Sequence, residues 1–210
     1  FVNSQKVIAL ILGHLCRNRG WNGRVVLNTT SSILTRRVAR ELGCKLSIKP
    51  VGFKHIYSEM KKRDVLLGGG ESGGVGIAHH MPERDGLLVN LLLCEAMAVT
   101  GKSLAELVDE LESYFGRYYY ARRDLRIDPE IVEMLRTVLP GLNPPMVAGR
   151  VPVHVSHMDG LRLEFDDESW ILLRPSQTEP LIRVYAEAQT IEMRDELLDA
   201  GIDLAHGEFT

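Results

Sequence analysis

Three short stretches that read as strands, Arg24 to Asn28, Leu46 to Lys49 and Val65 to Leu67, are separated by stretches with helical periodicity. Strands that alternate with helices build a parallel sheet covered on both faces, because each crossover must return over one face. That pattern restricts the first half of the chain more than any other feature. A helix over residues 3 to 18 precedes it, with Asn3 as N-cap and Val7, Ile8, Ile11, Leu12 and Leu15 on one face. Gly20 and Gly23 end that helix. Thr29 to Ser32 cap the next helix, which runs through Val38 and Leu42 and closes at Gly43. Phe53 to Arg63 reads as a short helix with a basic outer face. Two further helices follow. One spans Leu87 to Val99 behind an Asp85 cap. The other spans Ser103 to Phe115 behind a Ser103–Glu106 capping box, with Leu104, Leu107, Val108, Leu111 and Phe115 inward.

The chain changes character at Gly116 to Arg126, where three tyrosines and four arginines crowd together and no element is assigned. A boundary near Gly116 gives domains of 1–117 and 118–210. In the second, Asp128-Pro129 supply N-cap and N1 of a helix, with Ile131, Val132, Leu135 and Leu139 inward and Pro140-Gly141 as its stop. Leu161, Leu163 and Phe165 alternate with polar residues, Asp166 to Ser169 turn the chain, and Trp170 to Leu173 form a partner strand. A last strand over Ile182 to Ala186 and a helix from Thr190 to His206 complete it. The expected fold is a three-layer α/β/α domain with a mainly parallel sheet, followed by a smaller α+β domain with an antiparallel sheet.

Composition removes several function classes. A net charge of −3 leaves no electrostatic footprint for nucleic acid. The apolar run Leu87 to Val99 contains Asn90 and Glu95 and is too short to span a bilayer, so no membrane partner is expected. No signal peptide opens the chain, and Cys16, Cys44 and Cys94 are widely spaced and odd in number. They read as reduced core cysteines of a cytoplasmic protein. The seven histidines show no metal-ligand spacing. A start at Phe1, almost directly in a helix, suggests a piece of something longer.

In parallel sheets ligands gather at the carboxyl ends of the strands. Pro50 to Lys54 and Gly68 to Gly76 both follow strands directly, so they share that edge. The second glycine run, Gly68-Gly69-Gly70-Glu71-Ser72-Gly73, fits the dinucleotide fingerprint, which requires a helix at its last glycine. Val75 to Pro82 reads as extended instead, which argues against that use. Near the carboxyl end, Arg174-Pro175-Ser176-Gln177-Thr178-Glu179-Pro180-Leu181-Ile182-Arg183 lies between two apolar strands. Two prolines impose a turn of defined shape, successive amides form an anion nest, and Ser176, Thr178, Arg174 and Arg183 add donors. The local chemistry is a phosphate cradle; the alternative is a polar hairpin whose arginines pair with Glu179 and its neighbours.

The order of these residues resembles the phosphate loop of the α-D-phosphohexomutases (the phosphoglucomutase/phosphomannomutase family), Arg-x-Ser-Gly-Thr-Glu-Pro-x-x-Arg, with Gln177 at the usual glycine. Gly69-Gly70-Glu71-Ser72-Gly73 resembles the family's Gly-Glu-x-Ser-Gly sugar loop, with Gly70 at the place of the sugar-binding glutamate and Glu71 at the variable position. His80-Met81-Pro82-Glu83-Arg84-Asp85-Gly86 resembles the family's His-Ile-Pro-Glu-Arg-Asp-Gly segment, and Gly52-Phe53-Lys54 its substrate-placing Gly-Phe-Lys loop. The resemblance implies substrate binding by Lys54, Glu71, Ser72, His80 and Arg84, and phosphate binding by Arg174, Ser176, Gln177, Thr178 and Arg183. Arg84 stands where some members carry a lysine general base, and would stabilise charge instead. A glutamate introduced at Gly70 is expected to raise kcat/KM for a hexose phosphate in the full-length protein.

The resemblance covers domains three and four of a four-domain enzyme. The phosphoserine loop and the Asp-x-Asp-x-Asp-Arg loop, through which the full-length enzyme is expected to hold Mg2+, are absent here. Ser156-His157 lacks the phosphoserine-loop context, and Asp166-Asp167-Glu168 reads as a hairpin turn rather than a metal site. The implied activity is intramolecular phosphoryl transfer on a hexose phosphate. Domain three holds the sugar, domain four grips the non-transferring phosphate, and the chain by itself is inactive without its N-terminal domains. The alternatives are a non-catalytic phosphosugar-binding or regulatory module, and an unrelated α/β protein that uses a nucleotide.

Overall fold

The computed structural model describes residues 1–176 and 178–207. The chain divides into two compact units, Phe1–Arg117 and Tyr118–Thr210.

The first unit opens with α1 (Ser4–Arg17), whose N-cap Asn3 accepts from the Lys6 amide. Then come β1 (Arg24–Asn28), α2 (Ile33–Glu41), β2 (Leu46–Lys49), α3 (Phe53–Met60), β3 (Val65–Gly69), β4 (Val75–Ile77), α4 (Gly86–Thr100) and α5 (Leu104–Phe115). The sheet order is β2-β1-β3-β4; the first three strands are parallel and β4 runs antiparallel to β3. Helix α3 covers one face, where Val26, Ile56, Met60 and Val65 pack together. Helix α1 covers the other, where its Ile8 meets Gly69.

Two expectations change here. Helix α3 stops at Met60 rather than Arg63, because Lys62 folds back onto Glu59 and the chain must turn into β3. Strand β3 runs two residues past Leu67, and those two are glycines for a packing reason. A Cβ at Gly68 would lie 2.4 Å from Ile56, and one at Gly69 would lie 3.1 Å from Ile8. Only a strand without side chains there lets the helices on both faces approach this closely.

The second unit contains β5 (Tyr119–Arg126), α6 (Pro129–Val138), a single 3₁₀ turn (Leu139–Gly141), β6 (His154–Ser156), β7 (Leu161–Glu164), β8 (Trp170–Pro175), β9 (Leu181–Ala188) and α7 (Ile191–His206). Its five strands form an antiparallel sheet in the order β5-β9-β8-β7-β6. Strand β5 has no counterpart in the sequence reading. Only Ala121 and Leu125 pack on the core, and Arg123 between them bonds Asp199 of α7. The apolar alternation that announces a strand is therefore missing. Leu163, Ile171, Leu173, Val184 and Ala186 of the sheet pack with Val132 and Leu135 of α6 and Leu197 and Leu198 of α7. Ile131, expected inward, is exposed. No single helix among the described residues is long and apolar enough to cross a membrane.

Candidate functional site

In the first unit the carboxyl ends of β1, β2 and β3 lie along one edge, because the strands are parallel. Between β3 and β4 the glycine loop forms a tight hairpin, with the Gly70 amide donating to Gly74 O (3.3 Å) and the Gly73 amide to Gly70 O (3.1 Å). Gly73 has φ +87°, which excludes most other residues. A strand follows where the dinucleotide fingerprint needs a helix, and that strand ends at Ile77 rather than continuing to Pro82. The Ser4 hydroxyl at the start of α1 donates to Glu71 O at 2.5 Å and ties the loop to that helix. Glu71 is half-buried and Ser72 is exposed at the loop tip.

Three sequence motifs meet at Arg84. Its guanidinium lies 4.9 Å above the ring of Phe53, which α3 presents beside exposed Lys54. The N-cap of α3 is Gly52, with φ +129°. Arg84 Cδ fills the space a side chain at Gly74 would take, 2.4 Å from that Cβ position. Arg84 Nε also pairs with Glu83 Oε1 at 3.2 Å. His80 Nε2 lies 3.0 Å from Asp85 Oδ2, while Asp85 Oδ1 accepts from the Leu88 amide and caps α4. Those contacts, the cap first, lower the Asp85 carboxyl below its ordinary pKa.

Sequence reasoning missed Asn28, at the end of β1. Asn28 is 3% exposed, and its Oδ1 accepts from the hydroxyls of Thr30 (2.8 Å) and Ser31 (2.9 Å). A Cβ on Gly70 would stand 2.3 Å from Asn28 Nδ2. A glutamate at this position therefore requires Asn28 to move. The gain in kcat/KM expected of Gly70→Glu therefore depends on the Asn28 side chain giving way. Only contact geometry carries this signal, since Asn28 lies far from Gly70 in sequence.

In the second unit Arg183 lies in the expected last strand, which begins at Leu181, while Arg174 is also a strand residue because β8 runs on to Pro175. They are direct partners across β8 and β9. Directly opposed residues of an antiparallel pair project to the same face. Their neighbours Leu173 and Val184 belong to the core, so the two guanidiniums share the opposite face. Arg174 Nε donates to Asp159 Oδ2 at 2.8 Å. Arg183 Nη2 reaches Glu179 at 3.2 Å, and its Nε is buried with no hydrogen-bond partner among the described residues, Asp124 Oδ2 being 4.0 Å away. An orphaned guanidinium N–H is a donor that an anion would satisfy.

Ser176 is 1% exposed and does not offer the open hydroxyl that the sequence suggests. Its Oγ accepts long bonds from the amides of Thr178 (3.4 Å) and Glu179 (3.3 Å). Its carbonyl accepts from Arg136 of α6, another partner that sequence reading did not find. Thr178 is exposed. Gln177 lies outside the described residues. The amides of 178 and 179 thus converge on the Ser176 hydroxyl oxygen, which folds the turn around that side chain. An apolar cleft of about 620 Å³, lined by Leu10, His14, Ala96, Leu107 and Leu111 among others, lies between α1, α4 and α5 and includes none of the expected site residues.

Residues 3–114 match the family model described as phosphoglucomutase/phosphomannomutase, alpha/beta/alpha domain III. The chain belongs to the phosphoglucomutase/phosphomannomutase family. Residues 150–203 match that family's C-terminal domain. The chain is 29% identical to a phosphoglucomutase/phosphomannomutase of Thermococcus kodakarensis, covering 97% of this chain and 42% of that protein. It is 28% identical to the phosphoglucosamine mutase of Rubrobacter xylanophilus, covering 91% of this chain and 40% of that protein. A crystal structure assigned as a phosphomannomutase from Thermus thermophilus superposes with a TM-score of 0.78 at 36% identity, over 99% of this chain and 41% of that one. The chain thus spans about two-fifths of the length of the relatives it matches and corresponds to their C-terminal domains.

Proposed function

We propose that this chain is the ligand-holding C-terminal part of a phosphosugar mutase. The first unit binds the sugar through Glu71 and Ser72, with Lys54, His80 and Arg84 around it. The second unit binds the phosphate that is not transferred, through Arg174, Arg183 and Thr178, with Ser176 holding the turn between them. The Arg84 guanidinium stabilises negative charge on the ligand. Interactions with a remote phosphate contribute to catalysis when they strengthen in the transition state. Among the described residues no three His, Cys, Asp or Glu side chains come together to hold a metal ion.

The observation that carries the reading is the registered pair Arg174 and Arg183, with the Nε of Arg183 unpartnered among the described residues. The test is calorimetric titration of the chain with inorganic phosphate and α-D-glucose 1-phosphate. A charge-assisted bond is worth about 1.5–3 kcal/mol, so Arg183→Ala should weaken either ligand by roughly 10- to 100-fold. Equal binding by wild type and variant, or none by wild type, would overturn the reading. A second reading, a phosphosugar-binding module without catalysis, draws support from Gly70, which supplies no carboxylate and has Asn28 beneath it. Turnover of sugar 1-phosphates by the full-length protein would exclude it.

A further inference from the structure

We infer that Asp159 is a positioning residue that aims the Arg174 guanidinium at the anion, and this inference rests on the phosphate-binding reading above. Arg174 and Arg183 stand side by side on adjacent strands, so their charges repel and each needs a countercharge. The two countercharges differ in kind. Arg183 faces Glu179 and Asp124, both on partly exposed side chains, at 3.2 and 4.0 Å. Arg174 and Asp159 are buried to about nine-tenths, with side chains 8% and 10% exposed, and the bond is 2.8 Å long.

The contact uses Nε alone. A guanidinium carries five N–H donors, and its two Nη groups form the fork that grips phosphate. No other hydrogen bond joins the Arg174 side chain to a described residue. Fixing Nε removes the rotational freedom of the last torsions while leaving the Nη fork for a ligand.

The backbone explains how Asp159 is held. It lies in the turn between β6 and β7, followed by Gly160 at φ +114°. A Cβ at Gly160 would lie 2.2 Å from Leu173 O and 3.2 Å from Arg174 Cα. The turn is therefore pressed against the backbone of β8 at the residue it serves. Strand β7 adds Leu161 as the registered partner of Leu173. A carboxylate on such a platform has little room to swing aside, unlike one at the end of an exposed loop.

Two other roles predict different outcomes. A blocking carboxylate, which the anion must displace, would give tighter phosphate binding when removed. A purely structural ion pair would give lower stability with unchanged affinity. Positioning predicts weaker binding of the dianion even though a negative charge has been taken away, the opposite of what Coulomb attraction alone requires.

The experiment is titration of the 210-residue chain with inorganic phosphate and with α-D-glucose 1-phosphate by calorimetry, for wild type, Asp159→Asn, Asp159→Ala and Gly160→Ala, with the Tm of each. Asp159→Ala is expected to weaken both ligands at least tenfold. Asp159→Asn, whose Oδ1 still accepts from Nε, should lose less. Gly160→Ala, which displaces the turn, should resemble Asp159→Ala. A folded Asp159→Ala that binds phosphate as well as or better than wild type overturns the inference and leaves the phosphate site intact. Absence of phosphate binding by wild type overturns the site and the inference together. If the variants do not fold, the wild-type Nε–H resonance of Arg174, assigned with Arg174→Lys, still decides. Its shift should hold through saturation with phosphate, whereas a large shift means that Asp159 has been displaced and the inference fails.

Discussion

Replacing Gly70 with alanine tests whether Asn28 governs the glycine loop. Gly70 is not among the glycines with positive φ, so alanine fits the backbone there and the cost is one of contact. The new Cβ would stand 2.3 Å from Asn28 Nδ2, a side chain pinned by two hydroxyls and 3% exposed. Overpacking of this kind costs about 1–3 kcal/mol, and the reduced freedom of the unfolded chain returns about 0.4–1 kcal/mol. The net loss should be roughly 0.5–2 kcal/mol, a Tm drop on the order of 2–10 °C for a unit of this size. Asn28→Ala alone should cost about 1–2 kcal/mol through the two lost hydrogen bonds. If the collision is the cause, the double variant should be no less stable than Asn28→Ala alone, with a coupling of about 1–3 kcal/mol. Urea unfolding followed by far-UV circular dichroism, with an unchanged m-value, measures all four corners. Additive losses would refute the reasoning. The same cycle decides how a carboxylate could be introduced, because Gly70→Glu should bind sugar phosphate better only when Asn28 has been trimmed.

Two further predictions concern the first unit. The Glu59 carboxylate accepts from Arg24, Lys49 and Lys62 at 2.8–2.9 Å, and these bonds, Lys62 first, pull its pKa down to about 2. A depressed carboxylate contributes stability above its unfolded pKa and loses it as pH falls, so stability should decline between about pH 4.5 and about pH 2. Glu59→Gln should remove much of that slope and cost about 1–3 kcal/mol at pH 7, read by urea unfolding across the range. Cys16 Sγ lies 3.7 Å from Cys44 Sγ, and burial, reinforced by Cys44, pushes the Cys16 thiol up to about 12. Iodoacetamide at pH 8 should therefore modify exposed Cys94 well before Cys16, with mass spectrometry of tryptic peptides as the check; preferential labelling of Cys16 would contradict the geometry.

Much of the architecture is local information. The caps at Asn3, Ser32, Asp85, Ser103, Asp128 and Thr190 are short polar side chains placed one residue ahead of helical periodicity, and each accepts from an amide in the first turn of its helix. Strands β1 and β2 have the bounds their sequences imply: β1 carries a continuous Val25-Val26-Leu27 run that is buried, and β2 carries Leu46 and Ile48 on one face of a half-buried strand. The motifs of the expected site were likewise visible as residue order.

Pairing was not visible. Strand β5 exists because β9 offers it an open edge, and its arginines and tyrosines give no alternation to read. Arg174 and Arg183 became neighbours through strand register, although the residues alone suggest a loop with an arginine at either end. The partners of the candidate site residues, Asn28 under Gly70 and Asp159 beside Arg174, depend on distances of a few ångströms between separate elements. Periodicity and capping act within a turn or two of the chain and so leave a trace in sequence. Steric exclusion and ion pairing act between segments that only the folded backbone brings together.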